Sequence, residues 1–136
     1  RTMNLKSISS YYDDINSVDK TIELIKQEFK KGTKSEYDVS ETKINDFGYS
    51  LLNLDKNEEA LKIFELNTQL YPNASNTYDS YGECLMILKQ KKKALKAYKK
   101  SLDLNPENEN ARKIIEENKW VVAILNTRSI KRPGRF

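Results

Sequence analysis

Apolar side chains recur every three or four residues along most of this chain, the spacing that places them on one face of a helix. Ile44, Phe47, Leu51 and Leu54 form one such stripe, and Tyr78, Tyr81, Leu85 and Leu88 form another. A second helical stretch follows each stripe. Pro72 and Pro106 stop these second helices, because proline lacks the amide hydrogen and clashes with the preceding turn. Laid over each other, residues 41–74 and 75–108 coincide at eight positions: Gly48/Gly82, Leu51/Leu85, Leu54/Leu88, Ala60/Ala94, Leu61/Leu95, Lys62/Lys96, Leu70/Leu104 and Pro72/Pro106. Phe47/Tyr81 and Phe64/Tyr98 are conservative pairs at the same offset of 34 residues. A fixed period of this size marks stacked helix-turn-helix units.

Each repeated position has a physical reading. Gly48 and Gly82 fall inside a helix, where glycine costs up to about 1 kcal/mol relative to alanine. That cost is expected where a second helix comes close, with Ala60 and Ala94 as the small residues it presents. Asn57 and Ser75 are the expected N-caps of the following helices, with Asn73 as a rival to Ser75. Outside the repeat, Ser17 to Lys31 place Val18, Ile22, Ile25 and Phe29 on one face, and Gly32 is the expected stop. Leu5, Ile8, Tyr11 and Tyr12 predict a short helix before it. Asn108 to Leu125 give a stripe of Ala111, Ile114, Ile115, Asn118, Val121, Val122 and Leu125, the pattern of a closing helix that covers the last unit's core. The expected organisation is an N-terminal helical segment over 1–40, repeats over 41–74 and 75–108, a capping helix over 109–126 and an irregular basic tail over 127–136.

With glycine at the eighth position, alanine at the twentieth, an aromatic at the twenty-fourth and proline at the thirty-second, both units resemble the tetratricopeptide repeat (TPR). The usual tryptophan near the start is replaced by Ile44 and Tyr78. The resemblance implies an all-α fold of the TPR-type α-α superhelix, with two repeats between N-terminal helices and a capping helix. It also implies a surface for holding partners rather than a reaction centre. A narrower resemblance covers residues 35–112. Glu36-Tyr37-Asp38-Val39-Ser40-Glu41, Ile44 through Leu52, Tyr71-Pro72-Asn73, Tyr78 through Glu83, and Ser101 through Pro106 are similar to the repeat tail that follows the catalytic domain of bacterial serine hydrolases, β-lactamase-like or esterase-like. That tail is not itself catalytic, and no catalytic residue is carried over.

Composition narrows the function further. The chain has no histidine, so the commonest general base and metal ligand at neutral pH are missing. Its single cysteine, Cys84, excludes an internal disulfide and a multi-cysteine zinc site. No stretch approaches the roughly 18 apolar residues that span a bilayer, and no signal peptide is visible. A start at Arg1 is expected of a processed product or an excised piece. Compartment is left open.

Ser17-Val18-Asp19-Lys20 matches the Ser-x-x-Lys motif of serine β-lactamases, but no Lys-Thr-Gly partner accompanies it. Ser17 is expected instead to cap a helix. Asp13-Asp14 and Glu58-Glu59 are adjacent carboxylates that a helix aims in different directions, and Asp46, Asp55 and Glu58 do not match a calcium loop. No enzyme activity, metal or cofactor is expected. The expected binding surface is the concave one, lined by the first helix of each unit: Thr42, Asn45, Tyr49, Leu52 and Asn53, then Asn76, Asp79, Glu83, Met86 and Ile87. Asn110, Lys113 and Glu117 of the closing helix could add to it. The groove would hydrogen-bond an extended peptide; the plainer reading is that these residues only solvate a short stack. Recognition of C-terminal carboxylates is disfavoured, because the positions that would hold lysine and asparagine hold Asn45 and Tyr49.

Net charge is +4, with the excess in the C-terminal half: seven basic and four acidic side chains over 75–108, and seven and three over 109–136. Lys89, Lys91, Lys92, Lys93, Lys96, Lys99 and Lys100 should fan across the solvent side of a helix while Ala94, Leu95, Tyr98 and Leu102 face inward. Nucleic acid is disfavoured there because base-stacking aromatics are not interleaved. Arg128, Lys131, Arg132 and Arg135 give the tail a better electrostatic hook for RNA, an anionic surface or an acidic partner. Trp120 to Leu125 read as apolar nearly all round, which calls for a covering contact: a second copy, a hydrolase domain or the tail itself. The expected function is non-catalytic protein–protein interaction. The alternatives are an accessory hydrolase tail and attachment to nucleic acid or an anionic surface.

Overall fold

Ser7, Ser17 and Ser40 each accept a hydrogen bond from the amide three residues on, at 3.3, 3.2 and 3.3 Å, and each opens a helix. The helices are α1 (Ile8–Ile15), α2 (Val18–Lys31) and α3 (Glu41–Asn53). The amide bound to Ser17 is that of Lys20, so the Ser-x-x-Lys run is a helix cap. The computed structural model describes residues 4–120 and Ala123. It adds α4 (Asn57–Leu70), α5 (Ser75–Ile87), α6 (Lys91–Leu104) and α7 (Glu109–Glu117). The described residues include no β-strand, and the fold is all-α. The chain divides into two units, Arg1–Asn73 and Ala74–Phe136.

In the first unit, α1 packs on α2 and α3, α2 packs on α4, and α3 pairs with α4. First helix thus lies on first helix and second on second. Residues 8–31 are a further hairpin stacked on the repeat, although they do not follow its 34-residue spacing. Tyr12 joins the pieces: its ring meets Phe47 edge-on at 5.3 Å, and its hydroxyl accepts a hydrogen bond from Lys56 Nζ at 2.7 Å. That bond raises the Lys56 pKa. Before α1, Lys6 pairs with the segment ahead of α3, donating to Glu36 O at 2.8 Å and accepting from Asp38 N at 3.0 Å.

The two repeat hairpins make the same turn 34 residues apart. Asp55 and Lys89 both take positive φ, 61° and 65°. Lys56 N donates to Leu51 O and Gln90 N to Leu85 O, each at 2.9 Å. Asn57 and Ser75, the expected caps, are instead the first residues of α4 and α5. Lys56 and Ala74 stand at the N-caps of α4 and α5, and neither supplies a side-chain bond. Ser75 is used elsewhere: its hydroxyl and that of Ser101 lie 2.8 Å apart, and Ser101 Oγ donates to Ser75 O at 2.8 Å. At the equivalent positions of the first hairpin, Asn67 Nδ2 donates to Glu41 O at 3.0 Å. Both links fasten the start of the first helix to the end of the second.

Three expectations are corrected. The residue opposite each helix glycine is the aromatic, not the alanine: a Cβ on Gly48 would lie 2.5 Å from the Phe64 ring, and one on Gly82 would lie 3.0 Å from the Tyr98 ring. Ala60 and Ala94 are fully buried beside them. Leu54 leaves the apolar stripe because α3 ends at Asn53, and it is 61% exposed. The buried face of α2 is Val18, Thr21, Ile25 and Glu28, while Ile22 is half-buried and Phe29 sits at the rim against Tyr71, ring centres 5.4 Å apart.

In the second unit α5 packs on α6 and α6 on α7. Leu102 is only half-buried; Ala94, Leu95, Ala97, Tyr98 and Ser101 form the inner face. α7 runs to Glu117, with Lys119, Trp120 and Ala123 also helical, and Asn118 Nδ2 between them donates to Ile114 O at 2.8 Å. The rest of the expected stripe, Val121, Val122 and Leu125, lies outside the described residues, as does the basic tail.

Candidate functional site

On α3, Thr42 and Asn53 are exposed, while Asn45, Tyr49 and Leu52 are half-buried. The Tyr49 ring stands edge-on to Phe64, centres 5.0 Å apart, so it both packs the hairpin and borders its surface. Asn45 Oδ1 is buried and has no hydrogen-bond partner among the described residues. A buried acceptor without a donor costs about 1–3 kcal/mol.

On α5, Asn76, Asp79, Glu83 and Ile87 follow one another at spacings of three and four, which aligns them on one face. Asn76, Glu83 and Ile87 are exposed, and Asp79 and Met86 are half-buried. Asp79 is already engaged within its own unit. Its Oδ2 accepts from Asn108 Nδ2 at 2.8 Å and its Oδ1 from Asn110 Nδ2 at 3.0 Å. Asn108 caps α7 by accepting from Ala111 N at 3.1 Å, and its Nδ2 also lies 2.8 Å from Ser101 Oγ. Asn108 thereby ties α5, the end of α6 and the start of α7 together. Asn108→Ala removes the cap and both tethers and is expected to cost about 2 kcal/mol. Thermal unfolding checks this; Asn110→Ala, losing one exposed bond, should shift the midpoint less. Lys113 and Glu117 of α7 are exposed. Trp120 is 76% exposed, and Ala123 is exposed too; the other residues of the Trp120–Leu125 patch lie outside the described set.

The most constrained polar group was not anticipated. Glu28 is 4% exposed and accepts from Lys31 Nζ at 2.6 Å and from Glu36 N at 2.8 Å, with Ser35 Oγ at 2.9 Å. The Lys31 bond holds its carboxyl down at about 2, against burial, which pushes it up; the Glu36 amide and Ser35 hydroxyl add to the lowering. The same bond raises Lys31. Glu28 therefore fixes the loop between α2 and α3, and borders a 350 Å³ cleft walled by Phe29, Tyr37, Val39 and Tyr71. Burial raises the Tyr71 pKa, with Asp38 and Glu41 adding to it. A carboxylate one position from the predicted apolar stripe carries no sequence signal of its own. A larger cleft of 760 Å³ lies between Asn4–Ser9 and the Lys43, Asp46, Phe47 and Ser50 side of α3. Among the described residues no group of three His, Cys, Asp or Glu could hold a metal ion, and no helix is long and apolar enough to cross a membrane.

Residues 75–108, which span α5, the Lys89 turn, α6 and the Asn108 cap, match the family model of the tetratricopeptide repeat. The chain contains a tetratricopeptide repeat. No curated protein matches the chain significantly. Within the repeat, the matched span ends on Asn108, the residue that fastens α7 to it. Positions eight and twenty-four of the repeat, Gly82 and Tyr98, are in direct contact distance, which explains why they are paired in both hairpins. Repeats of this family are generally non-catalytic and serve as protein-interaction modules.

Proposed function

We propose that this protein is a non-catalytic binding module in which the first-helix face of each repeat hairpin, taken by itself, holds a peptide or partner segment. On α3 the contacts are Thr42, Asn45 and Tyr49; on α5 they are Asn76, Asp79 and Glu83. The observation that carries the reading is the α5 face, where Asn76, Glu83 and Ile87 run exposed along one line and end in an apolar side chain. Polar groups that fix a backbone next to an apolar anchor are the usual composition of a peptide site. Asp79 contributes as a carboxylate with two donors in place, so its role is to hold Asn110 at the rim. Trp120, 76% exposed, is a further contact for a protein partner.

The test is selection of peptides from a random library on the immobilised chain, followed by titration against variants. Glu83→Lys and Ile87→Ser should each weaken the selected peptides by about tenfold, the loss of roughly one contact. Lys96→Glu, on another helix, should not. Peptides that bind all three variants equally would place the site elsewhere.

A further inference from the structure

The two repeat hairpins fasten their ends alike, with one difference. In the second, Ser101 Oγ donates to Ser75 O, and Asn108 Nδ2 lies 2.8 Å from both Ser101 Oγ and Asp79 Oδ2. The residues 34 positions before Ser101, Ser75, Asp79 and Asn108 are Asn67, Glu41, Asn45 and Ala74. Asn67 Nδ2 donates to Glu41 O at 3.0 Å, the counterpart of the serine link. Ala74, the counterpart of Asn108, has no side-chain amide. The oxygens equivalent to the acceptors of that amide are Asn45 Oδ1 and Asn67 Oδ1. Both are buried without a hydrogen-bond partner, and among the described residues they are the only such side-chain atoms.

Buried acceptors in folded proteins are rarely left without a donor. Asn67 is fully buried, and its nitrogen is held by Glu41 O, so turning its amide would break one bond to make another. The missing donor must supply two hydrogens at one point, as the Asn108 amide does. It must be neutral, because neither carboxamide oxygen carries charge to offset a buried ammonium or a metal ion. It must also be small enough to stand in for a single nitrogen. A water molecule meets all three conditions, and buried waters commonly bridge polar groups that the chain leaves unsatisfied.

We propose that Asn45 Oδ1 and Asn67 Oδ1 hold one buried water between them, which joins α3 to the end of α4 as the Asn108 amide joins α5 to the end of α6. Asn45 is half-buried. With its oxygen committed inward, Nδ2 is the polar atom its side chain has left for a partner. In the peptide site proposed above it therefore donates to a carbonyl. That consequence rests on the peptide reading; the water does not.

A high-resolution crystal structure of the whole chain, with magnetic relaxation dispersion of water oxygen in solution, tests the site. The crystal should show one ordered water within hydrogen-bonding distance of both oxygens. Relaxation dispersion counts long-lived buried waters. It should lose one water in Asn45→Leu and none in Asn45→Asp, which keeps an acceptor and copies Asp79. A dry contact, with Asn45 turned so that its Nδ2 meets Asn67 Oδ1, overturns the proposal. So does an unchanged count in Asn45→Leu or a lost water in Asn45→Asp. If circular dichroism shows that Asn45→Leu does not fold, the crystal and Asn45→Asp still decide. A bound water together with peptides that ignore Asn45→Asp supports the proposal and removes Asn45 from the peptide site.

Discussion

Gly48→Ala is expected to destabilise the first repeat hairpin by about 3 kcal/mol, at the upper end of what overpacking costs. Its Cβ would sit 2.5, 2.7 and 2.9 Å from three carbons of the Phe64 ring, and Phe64 is fully buried, with Tyr49 against it. The ring is stiff, fully buried and backed by Tyr49, so relieving the overlap is expected to push α3 and α4 apart. Gly48→Leu adds three more carbons to the same spot and should prevent the hairpin from forming. Gly82→Ala meets Tyr98 at 3.0, 3.0 and 3.2 Å, a milder overlap, and should cost less than half as much. Phe64→Leu should recover part of the Gly48→Ala loss, because the two act on one contact. Thermal or urea unfolding of the four variants checks the ranking. Equal midpoints for Gly48→Ala and the unaltered chain would show that the helices do not cross here.

Glu28→Ala is the second large effect, an expected loss of about 3 kcal/mol near neutral pH. It leaves Lys31, Ser35 and the Glu36 amide without their shared acceptor. The pH dependence has a definite sign. The folded carboxyl titrates at about 2, below its ordinary 4.5. Its contribution is therefore complete above 4.5 and is lost as pH falls from there towards 2. Urea unfolding across that interval should show the unaltered chain losing stability steeply and Glu28→Ala losing less. Parallel curves would mean that Glu28 does not hold the loop.

Much of the fold was legible in the chain. The period identified the hairpins, and Ser17, Gly32, Pro72 and Pro106 marked helix ends, because these are local properties of backbone chemistry. The candidate faces were legible only as positions. The spacing put Asn76, Asp79 and Glu83 on one side of α5, but could not show that Asp79 already accepts from Asn108 and Asn110. Such bonds join residues 29 and 31 positions apart, and no periodic pattern encodes them. The expected caps failed for a related reason. Asn57 and Ser75 have the right chemistry for capping, but each helix begins one residue too early for them, and Ser75 is bound to Ser101.

By itself the sequence determined where the repeat helices lie, give or take a residue at their ends, and which pairs of positions are equivalent, since both follow from spacing along the chain. Only the tertiary structure decided what each equivalent position does. It showed that the repeated glycine exists to admit an aromatic ring rather than an alanine. It also showed that a charged residue, Glu28, takes a core position because three donors converge on it, a convergence that exists only when α2 and the loop before α3 are folded together.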